Sequence, residues 1–520
     1  MSSSQNPRRE GEDDVYVGAD EGEEIFQQDE DHPMESDGEG DDQEMTFDQE
    51  EITLENDSSA HFDFHNDSVF CIAQHPIHES IVITGSGDDS AFIFDSTPNT
   101  ERPLLPQSYE SNPQPRGERK SLEPITKLEG HSDTVNAVAF TQPKGEYVVT
   151  AGLDGKLRAY RDASPQQTGL KWDFLAESQE VEEINWVAVC PWVNGAEEKR
   201  NVVAIGGNDG SAWVFRIDHN DSAEPISIIQ TFFQHTGSCT AGAWTPDGNL
   251  LATVSEDGTF YVYDVFGAAA AAGISYSAGT SAVVGLTPED QRFAVDGGLY
   301  SVAVAPSGTF AAVGGAGGHI KVVGLPRLTA GAAGAAGKSK AKAPTGSQAG
   351  ASAAGTLLAS LQAQSDGVET LSFSSPPMSL LAAGSVDGSV ALFDTAHRFA
   401  VRRHIREAHE GAVVKVEFLQ TNAPATSLAR PSPISAVSAG QGRSYLLTST
   451  GLDGVVRRWD ARGGTAAAAQ GLLQEWRGHL GLIENTEGEQ SGGIMGFVQG
   501  FEGKRVVTAG DDGISLVFEE

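Results

Sequence analysis

One short pattern recurs eight times along this 520-residue chain and constrains its fold more than any other feature. Each copy has a pair of small residues, then Gly or Ser, a variable residue, Asp-Gly, and an alternating run that ends in an aromatic residue, often followed by Asp. The copies lie at residues 84–95, 151–160, 206–215, 254–264, 314–323, 384–394, 450–460 and 509–518. Two alternating runs joined by a turn in which Asp bonds the backbone and Gly takes a positive φ form a β-hairpin. The pattern therefore predicts an all-β repeat array.

Another alternating run precedes each copy, for example Val135–Phe140 and Val368–Phe373, and supplies an innermost strand. Two copies begin with Gly-His and one ends in Trp-Asp: these are Gly130-His131 with Asp154, Gly478-His479 with Asp512, and Trp459-Asp460. These residues resemble the WD-repeat family, whose repeat forms one four-stranded blade of a β-propeller. Eight copies then imply an eight-bladed WD-repeat β-propeller.

The resemblance also implies a structural role for the recurring His and Asp residues, which we expect to hold the turns of each blade by hydrogen bonds. The set comprises His131, His235, His409, His479, Asp154, Asp209, Asp257, Asp387, Asp453 and Asp512. Copies three and five lack the Gly-His start, and copy five has Gly317 in place of Asp. We expect those two blades to depend on packing alone.

The propeller is predicted to span residues 49–520, after a disordered acidic tail at 1–48 that has too few apolar residues to offset its ordering entropy. Low-complexity loop insertions are predicted at about 97–123, 267–290, 327–355 and 421–443, since Pro, Ser, Ala and Gly dominate them. The last copy ends at the third strand of its blade. The alternating segment Glu51–Asn56 is predicted to supply the missing outer strand and close the ring.

Charge narrows the range of partners. The formal net charge is −39, and the first 60 residues carry 22 Asp and Glu against two Arg. A polyanion repels phosphate backbones and anionic lipid, so we expect no direct nucleic-acid or membrane partner and favour a basic protein. Three scattered cysteines without a CxxC pair, and no apolar run long enough to cross a membrane, suggest a monomeric protein of the cytoplasm, with the nucleus as an alternative location.

Catalytic motifs are not found. The glycine run Gly314–Gly318 coincides with the repeat turn and precedes no helix, so it is interpreted as structural and not as a phosphate-binding loop. No nucleophile elbow, Walker lysine or zinc-protease motif occurs. The sequence therefore predicts a binding protein without catalytic residues, metal or cofactor.

The positions that vary between blades are the candidates for partner binding. The second residue of each predicted inner strand is expected at the top rim of the channel, and these residues are Phe70, Asn136, Glu182, Thr240, Tyr300, Glu369, Val414 and Met495. Glu180, Glu183, Asp133, Glu256 and Asp511 are predicted in loops of the same face. A carboxylate-rich surface with aromatic anchors suits Arg and Lys side chains. The alternative is that these charged loops are simply solvated.

Within the WD-repeat family, the chain resembles one subfamily that comprises angio-associated migratory cell protein and the fungal Sqt-type ribosomal-protein chaperones. The similar stretches are Ser68–Ile72 with Val82–Phe94, Glu182–Trp186, Val368–Phe373 and Leu452–Arg462. The fungal resemblance implies a chaperone that captures the basic N-terminal segment of large-subunit ribosomal protein L10 until it joins the ribosome.

In this hypothesis Glu182, Glu183 and Glu369 are the main contacts, and Phe70 and Tyr300 pack on the client's basic side chains. The alternative function is a general scaffold or adaptor in signalling or ubiquitin ligation, in which the top face holds two partners at once.

Overall fold

The alternating runs and turns of the sequence form eight four-stranded antiparallel sheets in the computed structural model. The structure describes residues 56–98, 121–164, 170–193, 195–277, 281–328, 353–420, 443–462, 471–481, 483–484, 490–500 and 502–520. The predicted disordered tail and most of three predicted insertions lie outside these residues. All eight recurring hairpins predicted from the sequence are confirmed as the two middle strands of a sheet.

Each sheet is one blade, listed here from its inner to its outer strand. Blade 1 holds β2 Val69–Gln74, β3 Ile81–Ser86, β4 Ala91–Asp95 and β5 Pro124–Leu128; blade 2 holds β6 Val135–Phe140, β7 Tyr147–Gly152, β8 Lys156–Asp162 and β9 Trp172–Gln179. Blade 3 holds β10 Ile184–Val189, β11 Val202–Gly207, β12 Ala212–Ile217 and β13 Ile226–Phe232; blade 4 holds β14 Cys239–Trp244, β15 Leu250–Ser255, β16 Phe260–Asp264 and β17 Ala282–Leu286.

Blade 5 holds β18 Leu299–Val304, β19 Phe310–Gly315, β20 His319–Gly324 and β21 Leu357–Gln362; blade 6 holds β22 Val368–Phe373, β23 Leu380–Ser385, β24 Val390–Asp394 and β25 Ala400–Ile405. Blade 7 holds β26 Val413–Phe418, β27 Leu446–Gly451, β28 Val456–Asp460 and β29 Leu472–Trp476. Blade 8 holds β32 Ile494–Gln499, β33 Arg505–Gly510, β34 Ser515–Glu519 and, from the other end of the chain, β1 Ala60–Phe62.

Little else is regular in the described residues. Strands β30 Ile483–Glu484 and β31 Gln490–Ser491 pair with each other in the loop before blade 8. Helix α1 spans Ala268–Ala271, and single 3₁₀ turns lie at Glu197–Lys199, Ala316–Gly318 and Thr395–His397. The architecture is therefore an all-β, eight-bladed propeller, as the repeat count predicts.

The core lies between the faces of neighbouring blades. Strands β3, β7, β11, β15, β23 and β27 are buried at every residue. One apolar cluster joins Tyr147 and Leu157 of blade 2 to Ile184 and Val203 of blade 3. Because an isolated blade would leave both faces in water, each blade is stable only between two neighbours.

The ring closes by pairing β1 with β34. Ala60 lies opposite Val517 and Phe62 opposite Ser515 in an antiparallel register. Closure by an N-terminal strand is the predicted arrangement, but the strand is different. The prediction chose Glu51–Asn56 because this segment alternates as a strand does. In the structure β1 pairs with the edge of β34 instead, and the first five residues of Glu51–Asn56 lie outside the described part.

A second correction concerns residues 267–290, predicted as a loop insertion. This segment contains β17, the outer strand of blade 4, with Ala282, Val283 and Val284 buried in the core. Its Ala, Gly and Ser composition resembles a loop. Small residues nevertheless form a strand here because three of them pack against neighbouring apolar side chains.

Repeated polar networks hold the turns of five blades. His131 hydrogen-bonds Asp154 at 2.9 Å and Thr150 at 2.8 Å, and His409 bonds Asp453 at 2.9 Å. His479 contacts Asp512 at 3.1 Å and Thr508 at 2.6 Å; His235 bonds Thr259 at 2.5 Å and Thr253 at 2.7 Å. The sequence reading missed His65, which bonds Thr84 at 2.9 Å and lies 3.3 Å from Asp88. Each histidine ties the loop before an inner strand to the hairpin of its blade.

The other three blades fill the same place differently. Buried Val181 and Val295 pack beside Gly207 and Gly315, as His131 does beside Gly152. In blade 6, Gln364 donates to Ser389 O at 2.9 Å. The hairpin aspartates remain in blades 3 and 6, where Asp209 accepts from Ser211 N at 2.9 Å and Asp387 accepts from Ser365 N at 2.7 Å. Blades 3 and 5 are thus packed without a histidine network.

The closing strand β1 contains a residue whose substitution should destabilise the fold. Phe62 is fully buried and stacks on Phe94 with ring centroids 4.2 Å apart. We expect Phe62→Ala to lower the free energy of unfolding by about 3–5 kcal/mol, because it removes a large core side chain at the closing strand. Denaturant-induced unfolding measures this loss. Phe64→Ala, at a side chain that is 40% exposed, is the matched control, and equal losses in both variants would contradict the closing role.

Acid sensitivity is predicted at blade 4. Burial lowers the pKa of His235 to about 4, although Asp257 acts in the opposite direction. Between these two pKa values His235 is protonated in the unfolded chain but not in the folded chain. The free energy of unfolding therefore falls as the pH drops from about 6.5 to about 4, by up to about 3 kcal/mol. His235→Gln, which copies Gln364 of blade 6, should make the pH dependence of unfolding less steep in that window, although His75, with its pKa also lowered to about 4, still contributes. An unchanged pH profile would refute this assignment.

Candidate functional site

A repeated irregularity shapes one end of the channel. In every inner strand the pairing register shifts between the first and third residues, so the second residue is a β-bulge without its own partner. The bulge residues are Phe70, Asn136, Asn185, Thr240, Tyr300, Glu369, Val414 and Met495. Seven of these eight are the residues expected from the sequence.

Blade 3 is the exception and requires a correction. Its bulge residue is Asn185, whereas the sequence reading placed Glu182 there. Val181, which occupies the histidine position, mimicked the first residue of a strand, and Trp186 mimicked the aromatic last residue. Glu182 lies instead in the loop before β10, where it is exposed next to exposed Glu183.

A backbone hydrogen bond fixes the loops around the bulges in all eight blades. The residue before each inner strand accepts, through its carbonyl, from an N–H in the turn of the recurring hairpin. The pairs, acceptor first, are Ser68 with Gly87, Thr134 with Leu153, Glu183 with Asn208, Ser238 with Glu256, Gly298 with Ala316, Gly367 with Val386, Ala412 with Leu452, and Gly493 with Asp511. The N···O distances are between 2.9 and 3.2 Å. Backbone atoms thus build the frame and leave the side chains to vary.

We call these pairs, together with the bulge residues, the mouth. All of its residues belong to the described part of the chain. Four are carboxylates, namely Glu183, Glu256, Glu369 and Asp511, and none is Lys, Arg or His. Lys415, the residue after bulge residue Val414, is paired with Glu417 at 3.1 Å and donates to Phe497 O at 2.8 Å. The mouth therefore carries a negative charge that no cation of its own offsets.

Three of the bulge residues support the ring itself. Asn136 donates to Asn185 O at 2.9 Å, Asn185 donates to Cys239 O at 3.0 Å, and Thr240 donates to Leu299 O at 2.7 Å. Each bond joins the inner strand of one blade to that of the next. These side chains are occupied by inter-blade bonds, so a partner is left with the aromatic, acidic and apolar bulge residues of the other blades.

Three of the four mouth carboxylates, Glu183, Glu256 and Glu369, lie on blades 3 to 6. Together with the neighbouring Asp366 and with Tyr300, we call them the acidic arc. Burial and then the charges of Glu369, Glu256 and Asp366 raise the pKa of Tyr300, so all three carboxylates act on its hydroxyl group. A Cβ atom on Gly367 would lie 3.2 Å from Glu369 Oε1 and 3.6 Å from the Tyr300 ring. Glycine at this turn leaves room for both side chains.

Glu369 is the most exceptional of these groups. Although its side chain is exposed, desolvation by the surrounding wall and then the charge of Asp366 raise its pKa above the ordinary value. Its carboxylate accepts no hydrogen bond from any residue that the structure describes. A carboxylate in this situation is stabilised by an incoming cation.

The remaining predicted partner-binding residues are distributed around this frame. Phe70 is the half-buried bulge residue of blade 1, next to Gly87. Asp133 is exposed in the loop before β6, where it accepts from Thr134 N at 2.7 Å, and Asp511 accepts from Gly492 N. Glu180 follows the outer strand β9 and accepts from Ser178 Oγ at 2.9 Å. Glu180 is therefore placed at the outer edge of its blade and not in the mouth.

Two acidic residues at the mouth were missed. Asp67 and Asp366 are exposed and accept from the next residue's N–H at 2.7 Å, as Asp133 does. The signal was present, because each follows a His or Gln by two residues and precedes Ser, Thr or Gly. It is weaker than the pattern of the recurring His and hairpin Asp residues.

Blades 6 to 8 present a different surface, which we call the apolar arc. It consists of Val386, Val414, Leu452, Leu480 and Met495. Val386 and Leu480 are 39% and 41% exposed, and the other three are half-buried. The mouth is therefore acidic on one side and largely apolar on the other.

Other kinds of site were also considered. Within the described ranges, no group of three or more His, Cys, Asp or Glu side chains is arranged to hold a metal ion. Among the same residues, no helix is long and apolar enough to cross a membrane. A cavity of about 530 Å³ lies between the turns of blades 4 and 5 at the end away from the mouth, lined among others by Asp247, Ser307 and Arg327.

Comparison with known proteins agrees with this architecture. The WD domain, G-beta repeat family matches residues 56–95, 122–161, 226–264 and 355–394. The "Ribosome assembly protein SQT1" of Saccharomyces cerevisiae is 29% identical over 240 residues, or 45% of this chain; the match spans only 48% of the yeast protein. Human angio-associated migratory cell protein is 24% identical over 432 residues, which cover 82% of this chain and 74% of that protein.

A solved structure gives the more extensive match. Sqt1 of Chaetomium thermophilum, in a crystal structure bound to the N-terminus of ribosomal protein L10, is 47% identical and superposes with a TM-score of 0.70. The match covers 90% of this chain and 100% of that one. By this identity over the whole length of the fungal chain, the protein belongs to the Sqt1 family of WD-repeat proteins.

Proposed function

We propose that this protein is a dedicated chaperone that binds the basic N-terminal segment of ribosomal protein L10 at its mouth and so promotes assembly of the large ribosomal subunit. The single observation that carries this proposal is the charge of the mouth, where four carboxylates stand without a Lys, Arg or His. The fungal Sqt1 structure bound to the L10 N-terminus supports the choice of client.

The acidic arc offers what a basic segment needs. Glu183, Glu256 and Glu369 can each accept charge-assisted hydrogen bonds from Arg or Lys, and the ring of Tyr300 can lie against a guanidinium plane. A nascent ribosomal protein is strongly cationic and binds stray RNA, so an anionic surface that neutralises it keeps it soluble. The exposed Glu182 and Asp133 next to the mouth add to the same field.

Related properties belong to the same proposal. The protein acts by binding and not by catalysis, as a monomer, without nucleic acid, membrane, metal or cofactor as a direct partner. It acts in the cytoplasm, where ribosomal proteins are synthesised. The site also includes Phe70 in blade 1 and Asp511 in blade 8, both of which belong to the mouth.

Charge reversal tests the proposal. We expect the double variant Glu183→Lys, Glu369→Lys to weaken binding of an L10 N-terminal peptide at least about tenfold, because two attractive contacts become repulsive. Fluorescence anisotropy with a labelled peptide measures the affinity. Glu224→Lys is the matched control, since Glu224 is exposed in the turn at the opposite end of blade 3.

The salt dependence of the affinity distinguishes this function from that of a general scaffold. Binding of a basic segment should weaken steeply as the Debye length falls below about 8 Å, the value at physiological ionic strength. An affinity that the double variant leaves unchanged, or that persists in 1 M salt, would refute the chaperone proposal and favour an adaptor with apolar contacts.

The raised pKa of Glu369 predicts a pH dependence. A cationic side chain binds the ionised carboxylate, so affinity should fall as the pH decreases towards and through the pKa of Glu369. Glu369→Gln should bind the peptide more weakly at pH 7 and lose less affinity between pH 7 and pH 5. Titrations at constant ionic strength measure both profiles.

The same shift gives an independent readout in the free protein. Because the folded state holds its proton more tightly than the unfolded chain, ionised Glu369 destabilises the fold at neutral pH. Glu369→Gln should therefore unfold at a slightly higher temperature than the parent at pH 7. The role given to Glu369 would be contradicted if the variant and the parent lost affinity equally between pH 7 and pH 5 and the variant unfolded at a lower temperature than the parent.

A further inference from the structure

The residues of the apolar arc lie on adjoining hairpins, loops and inner strands of blades 6 to 8. Gly388, in the blade 6 hairpin that carries Val386, accepts through its carbonyl from His409 N in the loop before blade 7 at 2.9 Å. A Cβ atom on Gly454, in the hairpin that carries Leu452, would lie 2.9 Å from Leu480 O. The hairpin of each blade thus abuts the loop of the next.

The arc also adjoins the bulge residues of the channel. A Cβ atom on Gly493, two residues before Met495, would lie 2.4 Å from the Cα atom of Leu452. Gly493 N donates to Leu480 O at 2.8 Å. Leu452, Leu480 and Met495 therefore stand side by side, and Val414 lies in the inner strand of the same blade as Leu452.

The charged groups of this part of the mouth lie at its edges or are already paired. Asp366 and Glu369 flank Gly367, whose carbonyl accepts from Val386 N, and Lys415, next to Val414, is paired with Glu417 at 3.1 Å. Asp511 lies nearby in blade 8, but its carboxylate already accepts from Gly492 N. Glu410 is exposed in the loop before blade 7, and its N–H donates to Asp453. A cationic side chain gains less here than at the acidic arc, whereas an apolar side chain can remove exposed aliphatic surface from water.

We propose that the apolar arc is a second subsite, which takes an aliphatic or aromatic side chain of the same segment whose basic residues lie on the acidic arc. This inference rests on the proposed function, because it assigns the occupant by continuity with the client-binding mouth. The ligand class is a short amphipathic cationic peptide with an apolar residue near one end of its basic run. The two arcs then fix the direction in which the segment crosses the channel.

Two synthetic peptides of equal length test the subsite on the full chain. Both contain six arginines; one carries Phe at one end and the other carries Ser there. We expect the Phe peptide to bind about tenfold more tightly, a difference that burial of one aromatic side chain supplies. The ratio of affinities should persist in 0.5 M NaCl, although both peptides bind more weakly there.

Variants locate the preference. Val386→Ser with Leu480→Ser should abolish the difference between the peptides and leave the affinity for the Ser peptide unchanged. Both positions are substantially exposed, so the fold should tolerate the changes. Leu473→Ser, at a side chain 54% exposed on the outer strand β29, is the matched control and should keep the difference.

The outcomes separate this inference from the proposed function. Equal affinity of the parent protein for the two peptides, or a difference that survives Val386→Ser with Leu480→Ser, would overturn the subsite even if an L10 peptide binds. Absence of L10 binding would overturn the proposed function, whereas an intact Phe preference would still support the apolar arc as a peptide subsite.

Discussion

Packing between neighbouring blades is the interaction on which the whole structure depends. Each blade buries its faces only against the blades on either side, so an open row of blades would leave the two end blades with one face in water. The pairing of Ala60–Phe62 with Ser515–Val517 removes that end and makes blade 8 a composite of the two ends of the described chain. The position of every mouth residue follows from this closure, because the mouth is formed by all eight blades together.

Within the closed ring, backbone and side chains have separate tasks. The hydrogen bond between each hairpin turn and the loop before the inner strand recurs in all eight blades, whatever side chains are present. Blade 5 keeps it with Gly298 and Ala316, although it has neither the histidine nor the aspartate of the repeat. Since this backbone bond recurs in every blade, the mouth side chains that form no inter-blade bond are free to specify a partner.

The sequence was sufficient to predict the fold because each hairpin carries its own turn chemistry, and seven of the eight bulge residues followed from counting along the strands. It failed where a local pattern has two readings. Val181 begins an apparent strand, yet it packs beside Gly207 in the histidine position, and that shifted Glu182 out of register. Ala282–Leu286 looks like a loop because only tertiary packing makes its small residues a strand.

Within the candidate site, residue types were easier to predict than their grouping. Glu256, Tyr300 and Glu369 come from three blades, and nothing in the order of the chain indicates that their charges act on one tyrosine ring. Of the apolar arc, only Val414 and Met495 were predicted at the rim, because Val386, Leu452 and Leu480 read as ordinary turn residues. Only the contact between one blade's hairpin and the next blade's loop makes them a surface.

The two arcs also differ in what they contribute to the free protein. Desolvation and the charge of Asp366 raise the pKa of Glu369, so its ionised form is less favourable in the folded than in the unfolded chain, and exposed Val386 and Leu480 leave aliphatic surface in water. Neither arrangement is explained by stability, since a neutral polar side chain would be more favourable at each position. A segment that carries positive charge at one end and an apolar side chain at the other would relieve both costs at once. On the proposed function, this complementarity is the reason that acidic and apolar residues adjoin at blade 6 of a single mouth.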